Sequence, residues 1–178
     1  MINDMESILL TEEQIRDRVA QMGAEISRDY ADKNPLFVGV LKGCFVFMAD
    51  LMRNVTVPCS MDFMAVSSYG KGTSTTGAVK INKDLSRDIE GRDVVIVEDI
   101  LDSGVTLSYL SRYLANRKPA SISIVTLLDK PSRRKADVQA KYSGFVVPDA
   151  FVVGYGLDFA EEYRNLPYIG ILKPEIYS

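Results

Sequence analysis

The stretch VVIVEDILDSGVTL, residues 94–107, is the most informative part of this chain. It begins with four apolar residues, mostly β-branched, and such a run is typical of a central parallel strand that is covered on both faces. We predict this strand over residues 93–99. Gly104, which has no Cβ and therefore tolerates a positive φ, lies in the turn that follows. A helix over residues 105–116 is predicted after the turn.

Strand and helix patterns alternate on both sides of this stretch. Thr11 and Gln14 have the spacing of a capping box, and the apolar periodicity after them predicts a helix to about Tyr30. A second helix is expected over 45–51. Polar segments without periodicity predict loops over 68–78 and 129–143. Further strands are expected over 36–41, 62–67, 122–128, 151–154 and 168–172. This alternation predicts an α/β fold with a largely parallel sheet, and 178 residues fit one domain, residues 1–178.

Composition excludes several classes of site. The chain contains no histidine, so Ser-His-Asp and Cys-His catalysis and His-ligated zinc are ruled out. Proton transfer would fall to Asp, Glu, Lys or Tyr, and a bound metal would be a hard cation on oxygen ligands. Two cysteines do not make a disulfide framework, and we see no export signal or membrane span. The net charge of −3 gives no reason to expect nucleic-acid binding. We therefore expect a cytoplasmic protein.

The end of the predicted central strand has the chemistry of a ligand site. Glu98 and Asp99 come at its C-terminal end, where open α/β sheets bind ligands. The amides of residues 103–106 are expected to converge at a helix N-terminus, with two hydroxyl groups beside them, and this is how proteins bind phosphate. Because carboxylates repel phosphate, the two acids are better suited to sugar hydroxyl groups. The pattern therefore indicates a ribose 5-phosphate site, and the alternative is a plain strand–turn–helix with solvated acids.

This segment resembles the phosphoribosyl pyrophosphate motif of the type I phosphoribosyltransferases. Four other features, in the family's order from about residue 36 to 172, resemble its hypoxanthine-guanine branch: Leu41-Lys42-Gly43, Ser68-Tyr69, Lys130, and FVVGYGLDFAEEYRNLP over 151–167. The resemblance implies the type I phosphoribosyltransferase fold, a largely parallel central sheet flanked by helices with a small base-binding hood. It also implies transfer of a phosphoribosyl group to hypoxanthine or guanine, yielding IMP or GMP and pyrophosphate, with Mg²⁺ as the cofactor.

The resemblance also implies a role for each matching residue. Asp102 would be the general base near N7 of the purine, and Ser68 and Tyr69 would belong to a lid. Leu41–Lys42 would be a peptide able to be cis. Ribose and the 5-phosphate would be bound by Glu98, Asp99, Asp102, Ser103, Gly104, Val105 and Thr106. The purine would be bound by Lys130, Phe151, Val152 and Asp158, and pyrophosphate by Leu41, Lys42, Gly43 and Arg164. The metal ligands would be Glu98, Asp99 and Asp158.

Some of these positions have plainer interpretations. Lys130 lies in a charged segment, where a lysine is usually solvated, and Phe151 begins an apolar strand, where an aromatic residue usually packs in the core. The roles of Asp158 and Arg164 rest on the resemblance alone. Many relatives carry Lys or Arg where this chain has Val105, and loss of that cation would weaken phosphate binding without abolishing a site built on backbone amides.

Other functions of the same fold stay open at this point. Some type I phosphoribosyltransferase folds are RNA-binding regulators of pyrimidine genes, which the acidic balance disfavours. An adenine, orotate, uracil or xanthine transferase is a nearer alternative. Lys130 favours a 6-oxopurine, because an ammonium group needs an acceptor at that position and the amino group of adenine is a donor. We expect no nucleic-acid partner and a homodimer or homotetramer.

Overall fold

The computed structural model of the chain describes residues 1–68 and 79–178. Within these ranges there are nine strands, four α-helices and two short 3-10 helices, Ile2–Asp4 and Pro131–Arg133. The strands are β1 (Met5–Leu10), β2 (Leu36–Leu41), β3 (Ser60–Ser68), β4 (Val79–Lys83), β5 (Asp93–Leu101), β6 (Ser121–Asp129), β7 (Tyr142–Val146), β8 (Val152–Val153) and β9 (Ile169–Leu172). The helices are α1 (Glu12–Asp29), α2 (Phe45–Arg53), α3 (Val105–Ala115) and α4 (Pro174–Tyr177).

Six strands form the central sheet, in the order β4-β3-β2-β5-β6-β7. Every pair is parallel except β3 and β4, which are antiparallel. The C-terminal ends of β2, β5 and β6 therefore meet at one edge of the sheet, and the segments that follow these strands are brought together there.

The two faces of the central sheet bury separate clusters of apolar side chains. Val95 and Val97 of β5 pack with residues of α1 and α2 on one face. Val94 and Ile96 point to the other face and pack with residues of α3. All four side chains are fully buried, which explains why this strand is apolar without alternation.

The remaining strands form a small antiparallel sheet in the order β1-β9-β8. Its side chains pack in a third cluster with Tyr163 and Leu166 from the turn between β8 and β9. The amide of Leu172 donates to the carbonyl of Phe151 at 2.9 Å, so the start of β8 is tied to the end of β9. This sheet corresponds to the hood expected from the sequence.

The structure confirms the α/β class and most of the expected elements. The capping box of α1 is present, since Gln14 N donates to Thr11 Oγ1 at 3.2 Å and Thr11 N donates to Gln14 Oε1 at 2.9 Å. The Leu41–Lys42 peptide is cis. In the described residues, no helix has the length and apolar character needed to cross a membrane.

Several sequence expectations were wrong in detail. The central strand continues through Leu101 rather than ending at residue 99, because it stays paired with β6 as far as Leu101 and Asp129. The segment 129–143 was expected to be a loop, but β7 begins at Tyr142 as an edge strand on β6. Phe151 precedes β8 instead of starting it. Strands β1 and β4 and helix α4 were not predicted.

Candidate active site

Two adjoining cavities open at the edge where β2, β5 and β6 end. The first measures about 350 Å³, and the second about 420 Å³. Three residues line both of them: Ile100, Asp102 and Asp158. The first cavity is further lined by the segments that follow β2 and β5. The second is further lined by the segments that follow β6 and precede β8. A ligand with two parts could therefore place one part in each cavity. The bond between the two parts would then lie beside the three shared residues.

A pair of adjacent carboxylates, Glu98 and Asp99, lines the first cavity. The amide of Asp99 donates to Glu98 Oε1 at 3.2 Å, and the amide of Ile100 donates to Asp99 Oδ1 at 2.8 Å. Burial, followed by the proximity of the Asp99 carboxylate, raises the pKa of Glu98 above its ordinary value. The pair is therefore a strong acceptor site, which hydroxyl donors or a cation would stabilise in its ionised form.

Glycine is required at two positions of the first cavity by close packing. A Cβ on Gly43 would overlap the carboxylate of Asp99, so the loop after β2 lies directly against that carboxylate. A Cβ on Gly156 would overlap the carbonyl oxygen of Gly43, and Gly156 has a φ of +99°. The loop after β2 is consequently held between β5 and the turn that follows β8.

The turn from β5 into α3 has the conformation of an anion-binding loop. Gly104 adopts a left-handed conformation, with a φ of 79°, and is the N-cap of α3. The carbonyl of Ser103 accepts from the amides of Lys135 and Ala136 at 2.8 and 3.1 Å. These bonds fix the turn from the outside and leave the start of α3 directed at the cavity. The first amides of a helix carry partial positive charge and lack helical partners.

Two cationic side chains line the first cavity, and Glu161 lies between them. Its carboxylate contacts Lys42 Nζ at 3.0 Å and Arg164 Nη2 at 3.2 Å. Arg164 also contacts Asp158 Oδ1 at 3.3 Å and donates to the carbonyl of Gly156 at 2.8 Å. Its buried Nε has no hydrogen-bond acceptor among the described residues. The Arg164 guanidinium is therefore held in place without using all of its five N–H donors.

The second cavity combines a buried cation with aromatic and apolar walls. Lys130 is only 7% exposed, and its Nζ donates to the carbonyl of Ala150 at 2.7 Å. Phe151 is 37% exposed and lines the cavity together with Val152 and Leu157. An ammonium group held by one carbonyl keeps two further donors. The cavity therefore suits a flat, largely apolar ring that carries an acceptor at its edge.

Asp102 is at the junction of the two cavities. Its Oδ1 is 3.1 Å from Arg133 Nε, but that contact is not aligned as a hydrogen bond, and this buried oxygen has no hydrogen-bond donor among the described residues. The backbone carbonyl of Asp102 accepts from Arg134 Nε at 3.1 Å. The Asp102 carboxylate is thus held in place by its surroundings and can still accept a hydrogen bond from a ligand.

Comparison with known proteins agrees with this arrangement. The sequence model of the phosphoribosyl transferase domain matches residues 6–160. The chain belongs to the phosphoribosyltransferase family. It is 59% identical over its whole length to the hypoxanthine-guanine phosphoribosyltransferase of Bacillus subtilis and covers 99% of that protein.

Two solved structures show the same architecture in the same family. The hypoxanthine phosphoribosyltransferase of Staphylococcus aureus superposes with a TM-score of 0.98 at 55% identity, with 100% of this chain and 97% of that chain covered. A Trypanosoma cruzi hypoxanthine phosphoribosyltransferase in a ternary complex with substrates superposes with a TM-score of 0.94 at 44% identity, with 99% and 100% covered. The family membership inferred from the sequence is confirmed, and the chain is a pentosyltransferase.

In this phosphoribosyltransferase, nearly all the residues singled out from the sequence meet at the two cavities. The residues lining the first cavity include Leu41, Lys42, Gly43, Glu98, Asp99, Asp102, Ser103, Gly104, Thr106, Asp158 and Arg164. The residues lining the second include Asp102, Lys130, Phe151, Val152 and Asp158. Val105 lines neither cavity, and its backbone amide donates to Ser103 Oγ at 3.4 Å. Ser68 ends β3, and Tyr69 lies outside the described residues. Their individual roles stay predictions.

Sequence reasoning missed three side chains at this phosphoribosyltransferase site. Arg133, which is beside Asp102, was treated as one of several charges in a polar segment. Glu161, which bridges the two cations, lies in the motif over 151–167, but the resemblance assigns it no role. Tyr177, which lines the second cavity, lies after the last predicted element. The position of Arg133 three residues after Lys130 was a usable signal, whereas no local sequence feature indicates a role for Glu161 or Tyr177.

The carboxylates of this site do not form a complete metal centre. Among residues 1–68 and 79–178, no group of three or more His, Cys, Asp or Glu side chains is placed to hold a metal ion. The predicted ligands Glu98, Asp99 and Asp158 line the same cavity without converging on one point. Mg²⁺ is commonly bound by one or two carboxylates, with water and substrate oxygens completing its shell. The residues present fit that mode of binding.

Proposed function

We propose that the chain transfers the phosphoribosyl group of phosphoribosyl pyrophosphate to hypoxanthine or guanine, producing IMP or GMP and pyrophosphate in purine salvage. The observation that carries this proposal is the pair of adjoining cavities that share Asp102. One has the groups for a phosphorylated sugar, and the other has the groups for a 6-oxopurine. The names of the relatives from Bacillus subtilis and Staphylococcus aureus support the same choice of substrates.

The first cavity would hold the sugar phosphate. The 5-phosphate would accept hydrogen bonds from the amides at the start of α3, with Ser103 and Thr106 beside them, and the positive end of the helix would stabilise its charge. Glu98 and Asp99 would accept hydrogen bonds from the ribose hydroxyl groups. Because the carbonyl of Ser103 is held by the amides of Lys135 and Ala136 outside the cavity, the loop needs little reorganisation to bind phosphate.

Pyrophosphate would lie between Arg164 and Lys42. Arg164 is held by the carbonyl of Gly156 and the carboxylate of Asp158, and its guanidinium, which lines the cavity, would donate to a pyrophosphate oxygen. Lys42 is more exposed and would act as a mobile charge. As the bond to the anomeric carbon breaks, negative charge accumulates on pyrophosphate, and the two cations would stabilise it.

The second cavity would select and orient the purine. Lys130 would donate to the oxygen at position 6, which adenine lacks, and Phe151 would stack on the ring. Asp102 would accept a hydrogen bond or a proton from N7, because its side chain is 44% exposed and lines both cavities. This placement directs N9 of the purine toward the first cavity, where it would replace pyrophosphate at the anomeric carbon.

Magnesium is the cofactor that this chemistry implies. Glu98, Asp99 and Asp158 would contribute ligands or second-sphere contacts, while substrate oxygens complete the coordination. When bound, the ion would neutralise charge on the pyrophosphate group. Removal of Mg²⁺ is therefore expected to abolish turnover without unfolding the protein.

We also propose a cellular compartment and an oligomeric state for the enzyme. Cys44 is buried and Cys59 is half-buried, and both are free thiols, which suits a reducing cytoplasm. Residues 1–178 would form one phosphoribosyltransferase domain that assembles as a homodimer or homotetramer. Mass measurement in solution by light scattering would test the assembly.

A product assay tests the proposed function. The purified protein would be given Mg²⁺ and phosphoribosyl pyrophosphate with hypoxanthine, guanine, xanthine, adenine, uracil or orotate, one at a time. We expect nucleotide from hypoxanthine or guanine, and none after chelation of Mg²⁺. Absence of nucleotide from both 6-oxopurines, or equal turnover of adenine, would overturn the proposal.

A further inference from the structure

Tyr177 forms an aromatic stack with Phe151 at the second cavity. The two ring centroids are 4.7 Å apart and the planes are 20° from parallel, within the range of a favourable offset stack. Phe159 completes the group with its ring nearly perpendicular to that of Phe151, at 86° and 5.6 Å. Phe151 is thus contacted by aromatic rings from two different segments of the chain.

The hood holds Tyr177 in this position. Helix α4 follows β9 directly, and the amide of Lys173 at its start donates to the carbonyl of Asp4 at 3.0 Å. The Lys173 Nζ donates to the carbonyl of Asn3 at 2.7 Å. Ile176 packs against the apolar cluster of the hood. Because Phe151 is also bonded to the end of β9, through Leu172, the two stacked rings are carried by the same small sheet.

The stack leaves one side of Phe151 available. A flat base inserted between two parallel rings would need their centroids about 7 Å apart, twice the contact distance of carbon atoms. The observed spacing of 4.7 Å has no such gap. Phe151 nevertheless remains 37% exposed, and the cavity that it lines also contains Lys130 and Asp102. The exposed part of the ring is therefore turned toward the proposed purine site.

We propose that Tyr177 is a purine-positioning residue, which backs the ring of Phe151 on the side away from the base. This inference rests on the proposed function, because it assumes that a purine stacks on Phe151. Tyr177 holds the Phe151 ring in one plane before the base arrives. A base then binds a prepared surface, and less conformational freedom is lost on binding. The bound complex is a three-layer stack of tyrosine, phenylalanine and purine.

The effect should appear in the Michaelis constant of the base. A positioning contact that is present equally in the ground state and the transition state changes KM and leaves kcat nearly unchanged. Loss of the aromatic stack in Tyr177→Ala should raise KM for hypoxanthine and guanine about two- to tenfold. KM for phosphoribosyl pyrophosphate should stay at the parent value, because Tyr177 does not line the first cavity.

Two control variants separate stacking from disturbance of helix α4. Tyr177→Phe keeps the ring and should retain the parent KM for the base. Glu175→Ala changes an exposed residue of the same helix that lines neither cavity, and it should behave like the parent. Thermal unfolding of all variants shows whether the hood stays folded.

The measurement is steady-state kinetics for both substrates in the parent and the three variants. A rise in base KM confined to Tyr177→Ala is the expected result. An unchanged base KM would overturn the inference, and so would a lower one, since that would mean that Tyr177 blocks the purine site. An equal rise in both KM values would also overturn it by indicating general distortion. If the parent itself makes no nucleotide from a 6-oxopurine, the proposed function fails, and this inference fails with it.

Discussion

Replacing Lys130 by methionine removes the ammonium group of the second cavity and keeps a side chain of similar length. In the structure this ammonium donates to the carbonyl of Ala150 at 2.7 Å and has donors left for a ligand. In the proposed complex it also donates to the oxygen at position 6 of the purine. The variant Lys130→Met therefore tests the contact that distinguishes 6-oxopurines from adenine.

The magnitude follows from the burial of Lys130, whose side chain is 7% exposed. A hydrogen bond from a charged donor contributes about 1.5–3 kcal/mol, so kcat/KM for hypoxanthine and guanine should fall about 10- to 150-fold. The free energy of unfolding should change less, because two effects of the substitution oppose each other. The Ala150 carbonyl loses its donor, which is destabilising, while the removal of a desolvated charge is stabilising. The melting temperature should move by no more than about 4 °C, the shift expected for about 1 kcal/mol at this length.

The assay compares three quantities in the parent and in Lys130→Met. These are kcat/KM for hypoxanthine and guanine, KM for phosphoribosyl pyrophosphate, and the rate with adenine. We expect the first to fall, the second to be unchanged, and the preference for 6-oxopurines over adenine to narrow. A rise in KM for phosphoribosyl pyrophosphate with unchanged use of the base would refute the placement of the purine in the second cavity.

Three further variants probe the first cavity and the junction. Asp102→Asn should lower kcat by about a hundredfold, the low end for a general acid–base group, with KM for phosphoribosyl pyrophosphate and the melting temperature retained; steady-state kinetics that show full turnover would remove Asp102 from the proton-accepting role. Glu161→Gln should strengthen inhibition by inorganic pyrophosphate about two- to fivefold, because the Glu161 carboxylate would no longer compete for the two cations. Glu162→Gln removes the same charge from a neighbouring exposed residue, so equal effects of both variants on the inhibition constant would argue against a specific contact. Glu98→Gln should raise the melting temperature in chelator-containing buffer at about pH 8 and lose this advantage toward about pH 5, and a gain that is independent of pH would contradict the reasoning.

The sign of the last effect follows from the direction of the pKa shift. Burial and the Asp99 carboxylate raise the pKa of Glu98 in the folded state, so folding favours its protonated form. The protonated Glu98 side chain contributes to stability below its ordinary pKa of 4.5. That contribution is lost as the pH rises through the raised pKa of the folded state. A glutamine at this position does not ionise and escapes that loss. In the proposed function, this loss of stability is explained by binding, because the ionised carboxylates of Glu98 and Asp99 would contact ribose hydroxyl groups and a cation.

Much of the fold could be predicted from the sequence because the relevant signals are local. The β-branched run of β5, the capping box at Thr11 and the turn at Gly104 each lie within a few residues and act through backbone preferences. The same stretch brought Glu98, Asp99 and Asp102 together, since the first two lie near the end of β5 and Asp102 directly follows it. The sheet class followed from the alternation of these elements.

The limits of the local signals are seen at the edges of the sheets. Strands β1 and β4 show no clean alternation of buried and exposed residues, with burial of Met5 and Leu10 only at the ends of β1. Each exists because a distant partner pairs with it, β9 for β1 and β3 for β4. Strand β7 was missed for the same reason, since it begins inside the segment 129–143 that was predicted as a loop and is set by its pairing with β6.

The family, the central sheet and the residue types of the phosphate loop could be predicted from the amino-acid sequence alone. The tertiary fold sets which distant side chains meet at the two cavities: Glu161 between the two cations, Arg133 beside Asp102, and Tyr177 against Phe151. These contacts depend on strand pairing, in the hood for Glu161 and Tyr177 and between β5 and β6 for Arg133, and on close packing at Gly43 and Gly156. Neither leaves a periodic pattern in the chain, because both are set by the geometry of segments far apart in sequence.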